Sequence, residues 1–185
     1  MKDITFITGN KNKASYLAKL LGIEIKHRKY DLDEIQSLDL HEIVEHKARQ
    51  AYDMLKKPVL VEDVSLEFNA LSGLPGPFIK YFVDHAGLEA SCRMLDGFSD
   101  RSAVAKCTFG YFDGKKLHFF DGQLAGTIAQ SPRGENGYGW DKIVIHEGYG
   151  GRTRAELTQE ENEHTYQIIK PLKELGSYLS SISAR

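Results

Sequence analysis

The chain has 185 residues, 41% of them hydrophobic, two cysteines and a formal net charge of -2 at pH 7, enough apolar content for one domain with its own core. Lysines and arginines are scattered along the chain, which excludes a nucleic-acid-coating or membrane-surface protein, since either needs a basic face supplying many phosphate contacts. No run reaches the roughly 18 apolar residues that span a bilayer, the start does not resemble a signal peptide, and Cys92 and Cys107 lack metal-type spacing; two free thiols in such a chain point to a reducing, cytoplasmic setting.

In chain order, residues 4–7 form a short apolar strand, and residues 12–21 carry Ala14, Leu17, Ala18 and Leu21 at helical spacing, with Gly22 as the stop. Residues 23–27 read as a second strand. Residues 40–55 read as an amphipathic helix with Ile43, Val44, Ala48, Ala51 and Leu55 on its apolar face, broken by Pro58. "VLVED" (59–63) is an unbroken apolar run that reads as a buried strand whose C-terminal end, Glu62 and Asp63, opens onto a polar site. A Gly/Pro loop in "SGLPGPFIKYF" leads into a helix near Phe78, and a further helix covers 88–95. Residues 103–128 take the β period, with "DGKK" (113–116) as a hairpin turn. Residues 142–146 give a last strand, Thr158 opens a helix with Glu161 at capping-box spacing, and Pro171 restarts a separate helix through Leu179. The pattern predicts a single domain of α/β class: a mixed β-sheet flanked by helices, with two lobes and a cleft between them.

Three polar clusters carry the chemistry. In "ITFITGNKNK" (4–13) a strand ends on Thr8, Gly9 and Asn10 just before a helix. A glycine there lets the backbone approach an anion, and the free N–H groups and dipole of the helix start favour negative charge. Lys13 adds a point charge directed at the same anion. Neither the P-loop nor the dinucleotide fingerprint is matched, so a plain strand-to-helix turn is the competing reading. Asp31, Asp33 and Glu34 lie between elements; with Glu62 and Asp63 they would form an oxygen-rich site suited to Mg²⁺, which takes one or two carboxylates plus substrate phosphates. The competing reading is a solvated acidic loop, although Asp63 at the end of a buried strand requires a cation or donor. In "GENGYGWDK" (134–142), Tyr138 and Trp140 beside Asp141 offer a flat face and an acceptor for a purine, stacking being worth about 1–3 kcal/mol per base; aromatic plugs in a loop are the alternative. The histidines of "HEIVEH" do not form a zinc pair, because His41 and His46, five apart, lie roughly 140° around a helix.

Taken together, "TGNKNK", "DLDEIQ", "HKA", "VLVEDVSLEFNALSGLPGPFIKYF", "CTF" and "SPRGENGYGWD" are similar, in this order and spacing, to the inosine triphosphate pyrophosphatase family, the non-canonical purine nucleoside triphosphate pyrophosphatases, over residues 3–145. The resemblance implies an elongated fold with a central nucleotide-binding cleft, a homodimer, and Mg²⁺-dependent hydrolysis of ITP, dITP or XTP to the monophosphate and pyrophosphate. It implies that Thr8, Gly9, Asn10, Lys13, Lys47 and Lys80 bind the triphosphate and that Glu34 and Asp63 hold the metal. By the same resemblance Asp63 is also the general base, with Glu62 beside it and Val64 joining the substrate-binding set, and Tyr138, Gly139, Trp140 and Asp141 form the base pocket. From the residues alone, Lys47 and Lys80 are equally read as surface lysines, and Arg133 as a phosphate contact or a structural ion pair.

The C-terminal segment departs from the pattern. Where the family carries a lysine and then Ser-His-Arg, this chain has Asn162 and then Tyr166, Gln167 and Ile168. The arginine donors to a keto oxygen are missing, and Gln167, which can donate or accept, becomes the candidate that reads the base. Lys142 also replaces a proline. Two alternatives follow: hydrolysis of another modified or non-6-oxo nucleotide, and nucleotide binding without hydrolysis.

Overall fold

A computed structural model of the chain describes residues 4–183. Its strands are β1 (Thr5–Ile7), β2 (Lys26–Arg28), β3 (Val59–Phe68), β4 (Pro75–Gly76), β5 (Ser102–Phe112), β6 (Leu117–Ile128) and β7 (Val144–His146). Its helices are α1 (Lys11–Leu21), α2 (Leu40–Leu55), α3 (Ile79–Tyr81), α4 (Leu88–Arg93), α5 (Gln159–Ile169) and α6 (Leu172–Ser183). The strands form one mixed sheet in the order β2-β1-β3-β5-β6-β7, with β4 paired to β3. β1 is parallel to both neighbours, Thr5 lying opposite Lys26 and opposite Val59, and α1 and α2 supply the crossovers that parallel pairing requires. β6 and β7 are antiparallel, with Thr127 opposite Ile145. This is the expected α/β class. No described helix is long and apolar enough to cross a membrane.

The chain divides into two compact units: one made of residues up to Asp63, Cys107–Asp121 and the chain from Pro171 on, the other of Val64–Lys106 and Gly122–Lys170. In the first, Ile7, Val44, Ala48, Ala51, Val59, Val61 and Phe112 make a core. The α2 contribution is a stripe at spacings of four and three, and all three of its residues there are fully buried. Asp39 caps α2 by accepting from the His41 N–H, and Lys56 ends it in the left-handed conformation, ahead of Pro58. In the second unit Leu66, Phe68, Ile79, Leu95, Ile128 and Ile143 are buried. Arg101 donates to the carbonyls of Cys92, Ile128 and Ala129 at 2.8–3.0 Å, which ties α4 to the end of β6.

Several boundaries differ from expectation: β7 starts at Val144 instead of residue 142 and α6 runs past Leu179 to Ser183. β3 does not end at Asp63 but runs on to Phe68, because the buried positions resume at Ser65, Leu66 and Phe68. β2 starts at Lys26 instead of residue 23, since β1 offers only Thr5, Phe6 and Ile7 as partners. α4 stops at Arg93, short of residue 95.

Candidate functional site

In the first unit the turn between β1 and α1 is built by its own side chains. Thr8 Oγ1 accepts from the Asn10 N–H at 3.2 Å, and Asn10 Oδ1 accepts from the Lys13 N–H at 3.1 Å, so Asn10 caps α1 and occupies one of the N–H groups that a helix start leaves open. Gly9 stands exposed just ahead of it. His27 Nε2 lies 2.7 Å from the Thr8 carbonyl and fixes the turn to β2.

Glu62 and Asp63 lie inside β3, and the alternation of a strand sends adjacent side chains to opposite faces. Each carboxylate meets a lysine from a different helix. Lys13 Nζ, on α1, is 3.3 Å from Glu62 Oε2, and the Glu62 side chain is 2% exposed. Cys107 Sγ lies 3.6 Å from Glu62 Oε1, with burial pushing its thiol well above the ordinary range. Lys47 Nζ, on α2, is 2.5 Å from Asp63 Oδ2 and 3.5 Å from Glu34 Oε1. Gln50, one turn further along α2, accepts from the Asp33 N–H and donates to Asp33 Oδ2, each at 2.8 Å. Asp33 is thus tied to the helix, and Glu34 is the loop carboxylate that meets Lys47. The expected pairing of Glu62 with Asp63 at one strand end is therefore corrected: Glu34 and Asp63 converge, and Glu62 faces Lys13.

One compact cation, the Lys47 ammonium, contacts both Glu34 and Asp63, so these two carboxylates face the same positive charge. Hard oxygen donors, one of them half exposed, fit Mg²⁺, which keeps water and phosphate ligands beside one or two carboxylates. Among the described residues no group of three or more His, Cys, Asp or Glu is placed to hold a metal by itself.

In the second unit Gly137, at φ +77°, folds the chain over Asp141; a Cβ there would collide with the Asp141 carboxylate. Asp141 is buried, accepts from the Tyr138 N–H at 3.0 Å, and pairs with Arg154 Nη1 at 3.1 Å. Arg154 Nη2 donates to Asn162 Oδ1 at 2.6 Å, and Asn162 Nδ2 donates back to the Arg154 carbonyl at 3.0 Å. Burial raises the Asp141 carboxyl above its usual range, while Arg154 and the Tyr138 N–H pull it down. Tyr138 is 67% exposed and Trp140 half-buried, so the loop presents a ring and does not plug itself. Lys80 on α3 and Gln167 on α5 are exposed, Val64 on β3 is half-buried, and Tyr166 is buried.

Residues 4–176 match the model of the Ham1 family. The chain belongs to that family. It is 41% identical over 186 residues to the inosine triphosphate pyrophosphatase of Schizosaccharomyces pombe, covering 98% of this chain and 97% of that protein. It is 42% identical over 183 residues to the inosine triphosphate pyrophosphatase of Emericella nidulans, covering 97% of each. Among solved structures, a HAM1 protein from Coxiella burnetii matches with a TM-score of 0.86 at 28% identity, covering 98% of this chain and 100% of that one. The Staphylococcus aureus Ham1 protein matches at 0.82 and 25%, covering 97% and 99%.

Within this Ham1 chain, other polar residues fall to structural duties. Arg133 pairs with Glu156 at 3.2 Å and donates to the Gly151 carbonyl at 2.5 Å, the ion-pair alternative of its two readings. His41 pairs with Asp121 at 2.9 Å and stacks on Phe119 with ring centroids 4.1 Å apart. Two residues that contact the candidate site residues were not singled out from the sequence. Gln50 was findable, lying three residues beyond Lys47 and hence on the same face of α2. Arg154 was not, because its approach to Asp141 depends on the path of the intervening chain and on no spacing rule.

Proposed function

We propose that the chain hydrolyses nucleoside triphosphates, those of non-canonical purines (ITP, dITP and XTP) foremost, to the monophosphate and pyrophosphate, and so cleans the nucleotide pool. The observation that carries this reading is Ham1 membership together with 41–42% identity, across nearly the whole chain, to proteins named inosine triphosphate pyrophosphatase.

Water attacks the α-phosphorus, the bond to the α–β bridging oxygen breaks, and pyrophosphate departs. The obstacle is charge, since an anionic centre repels the nucleophile and the leaving group gains negative charge. In the first unit the Thr8–Gly9–Asn10 turn with Lys13, and Lys47, supply positive potential and N–H groups for phosphate oxygens; Lys80 adds a cation in the second. Asp63, oriented by Lys47 at 2.5 Å, accepts the proton of the attacking water, with Val64 next to it in the substrate-binding set. A Mg²⁺ ion held by Glu34 and Asp63 would neutralise charge on the phosphate oxygens. In the second unit Tyr138 and Trp140, with Gly139 between them, stack the base, Asp141 accepts from its N–H groups, and exposed Gln167 offers a further polar contact.

The reading includes a cytoplasmic setting, supported by Cys92 and Cys107 being buried thiols outside any disulfide, and a homodimer, which rests on the family resemblance. It gives nucleic acid no part, on the charge argument above. Incubation of the purified chain with Mg²⁺ and a panel of ITP, dITP, XTP, GTP and ATP tests the reaction. Pyrophosphate release with ITP or XTP preferred is expected. Release from another base alone would move the substrate to that base, the outcome favoured if Gln167 and exposed Ile168 reshape the pocket; binding without release would refute hydrolysis.

A further inference from the structure

The buried end of the aromatic loop is organised around one guanidinium. Arg154 and Asp141 side chains are 12% and 8% exposed, and the fork of Arg154 divides between two partners, Nη1 to Asp141 and Nη2 to Asn162. Among the described residues its Nε is buried without a partner, as is Nε2 of His146, whose Nδ1 lies 3.0 Å from the Ala125 carbonyl. The backbone on either side is pinned. A capping box joins Thr153 and Glu156, Thr153 Oγ1 donates to the Arg133 carbonyl at 2.9 Å, the Ala155 N–H donates to the Asp141 carbonyl at 3.0 Å, and the Asn136 N–H donates to the Ala155 carbonyl at 3.1 Å. The guanidinium is therefore locked to the same stretch of chain that carries Tyr138 and Trp140. An arginine left with one N–H unmatched in a buried site is held there by something other than complete hydrogen bonding, and the carboxylate it meets is the group that burial alone would drive to the neutral form.

We propose that Arg154 is a positioning residue for base recognition: it holds Asp141 as an acceptor-only carboxylate beneath the Tyr138–Trp140 loop, so that the site takes a base presenting an N–H donor. The inference rests on the proposed function and deepens it. Asn162 has no charge of its own, and the cation on Asp141 comes instead from residue 154, on the turn that precedes α5. Asp141 uses one oxygen toward Tyr138 and one toward Arg154, and each keeps a lone pair for a ligand. Without Arg154 the buried acid takes up a proton and becomes a donor, which suits a ring nitrogen acceptor such as adenine N1 in place of the hypoxanthine N1–H.

The experiment compares wild type, Arg154→Gln, and Arg154→Gln combined with Asn162→Lys, all as full chains, with ITP, ATP and inorganic tripolyphosphate. Arg154→Gln is expected to raise the KM for ITP at least tenfold with kcat within about threefold, and to narrow the ITP-over-ATP preference at least tenfold. Inhibition by tripolyphosphate, which has no base, is expected to stay within about twofold. Adding Asn162→Lys, which places a cation beside the same carboxylate, is expected to bring the KM back to within about threefold of wild type. An unchanged KM and preference in Arg154→Gln overturns the inference, as does a loss of tripolyphosphate inhibition in step with the loss of ITP, which marks a general structural role. If Arg154→Gln fails to fold, Arg154→Lys, which keeps the charge but not the fork, is expected to raise the KM at least threefold, and no change there overturns the proposal. A wild-type chain that releases no pyrophosphate from any nucleotide sinks the proposed function and this inference together; an active wild type with an inert Arg154 sinks the inference alone.

Discussion

Among the described residues, a Cβ on Gly9 would meet nothing closer than Lys29 Cε at 3.9 Å, an ordinary contact, and Gly9 does not have a positive φ. Neither packing nor backbone conformation demands a glycine there, as expected if the turn serves close approach of a phosphate, the role proposed above. Gly9→Ala is accordingly expected to leave Tm within about 2 °C while raising the KM for nucleoside triphosphate about tenfold or more, because the methyl stands between the turn and the phosphate. Melting curves and steady-state kinetics on one preparation check this; a lower Tm with an unchanged KM would return the glycine to folding. Asp63→Asn separates binding from turnover at the next residue of interest. The amide keeps the shape and a contact to Lys47 but accepts no proton, so kcat is expected to fall at least 100-fold with only a modest loss of nucleotide binding from the weakened metal contact. A normal kcat would remove Asp63 from the role of base.

Helix α5 shows how much an element can carry at its first turn. Glu161 closes the capping box with Thr158 and takes a two-pronged contact from Arg152, at 3.0 Å and 2.5 Å. Arg152 first, and then the Thr158 N–H, hold its carboxyl down at about 2. A folded-state value below the unfolded one means that the contribution is present above the unfolded value, about 4.3, and is lost as pH falls toward 2. Glu161→Gln should therefore melt below wild type at pH 7, with the gap closing between about pH 4.5 and 2 and shrinking in high salt, as an exposed pair requires; a gap that persists at pH 2 would place the effect in the cap geometry. This capping box was legible as Thr158 and Glu161 three apart, and α2 was legible at both ends from its apolar stripe and Pro58. β3 was not legible past Asp63, because two charges in mid-strand imitate an end unless one knows that lysines from α1 and α2 meet them. Local signals likewise marked the Thr8–Lys13 turn, the Asp31, Asp33 and Glu34 cluster, and Asp63, with Glu34 singled out only by the family resemblance, whereas Arg154 and the division of Glu62 from Asp63 needed the tertiary path.

For the whole molecule, the ion proposed to be shared by Glu34 and Asp63 has a consequence that does not depend on turnover. A ligand bound only by the native chain stabilises it by RT ln(1 + [L]/Kd), about 2.7 kcal/mol at a hundredfold excess over Kd, and for a chain of this length about 1 kcal/mol moves Tm by roughly 2–4 °C. An ITP analogue with a non-cleavable α–β bridge, supplied with Mg²⁺ at that excess, is therefore expected to raise Tm by about 5–10 °C. Without the divalent ion the phosphates would confront two carboxylates balanced by Lys47 alone, and the repulsion weakens binding. Excess EDTA should then remove at least half of the shift in wild type. In Glu34→Gln the shift should be smaller and nearly indifferent to EDTA, because one of the two oxygen donors that make the ion matter is gone. Equal shifts with and without EDTA in wild type would mean that Lys47 neutralises the pair by itself and that no divalent ion is shared there.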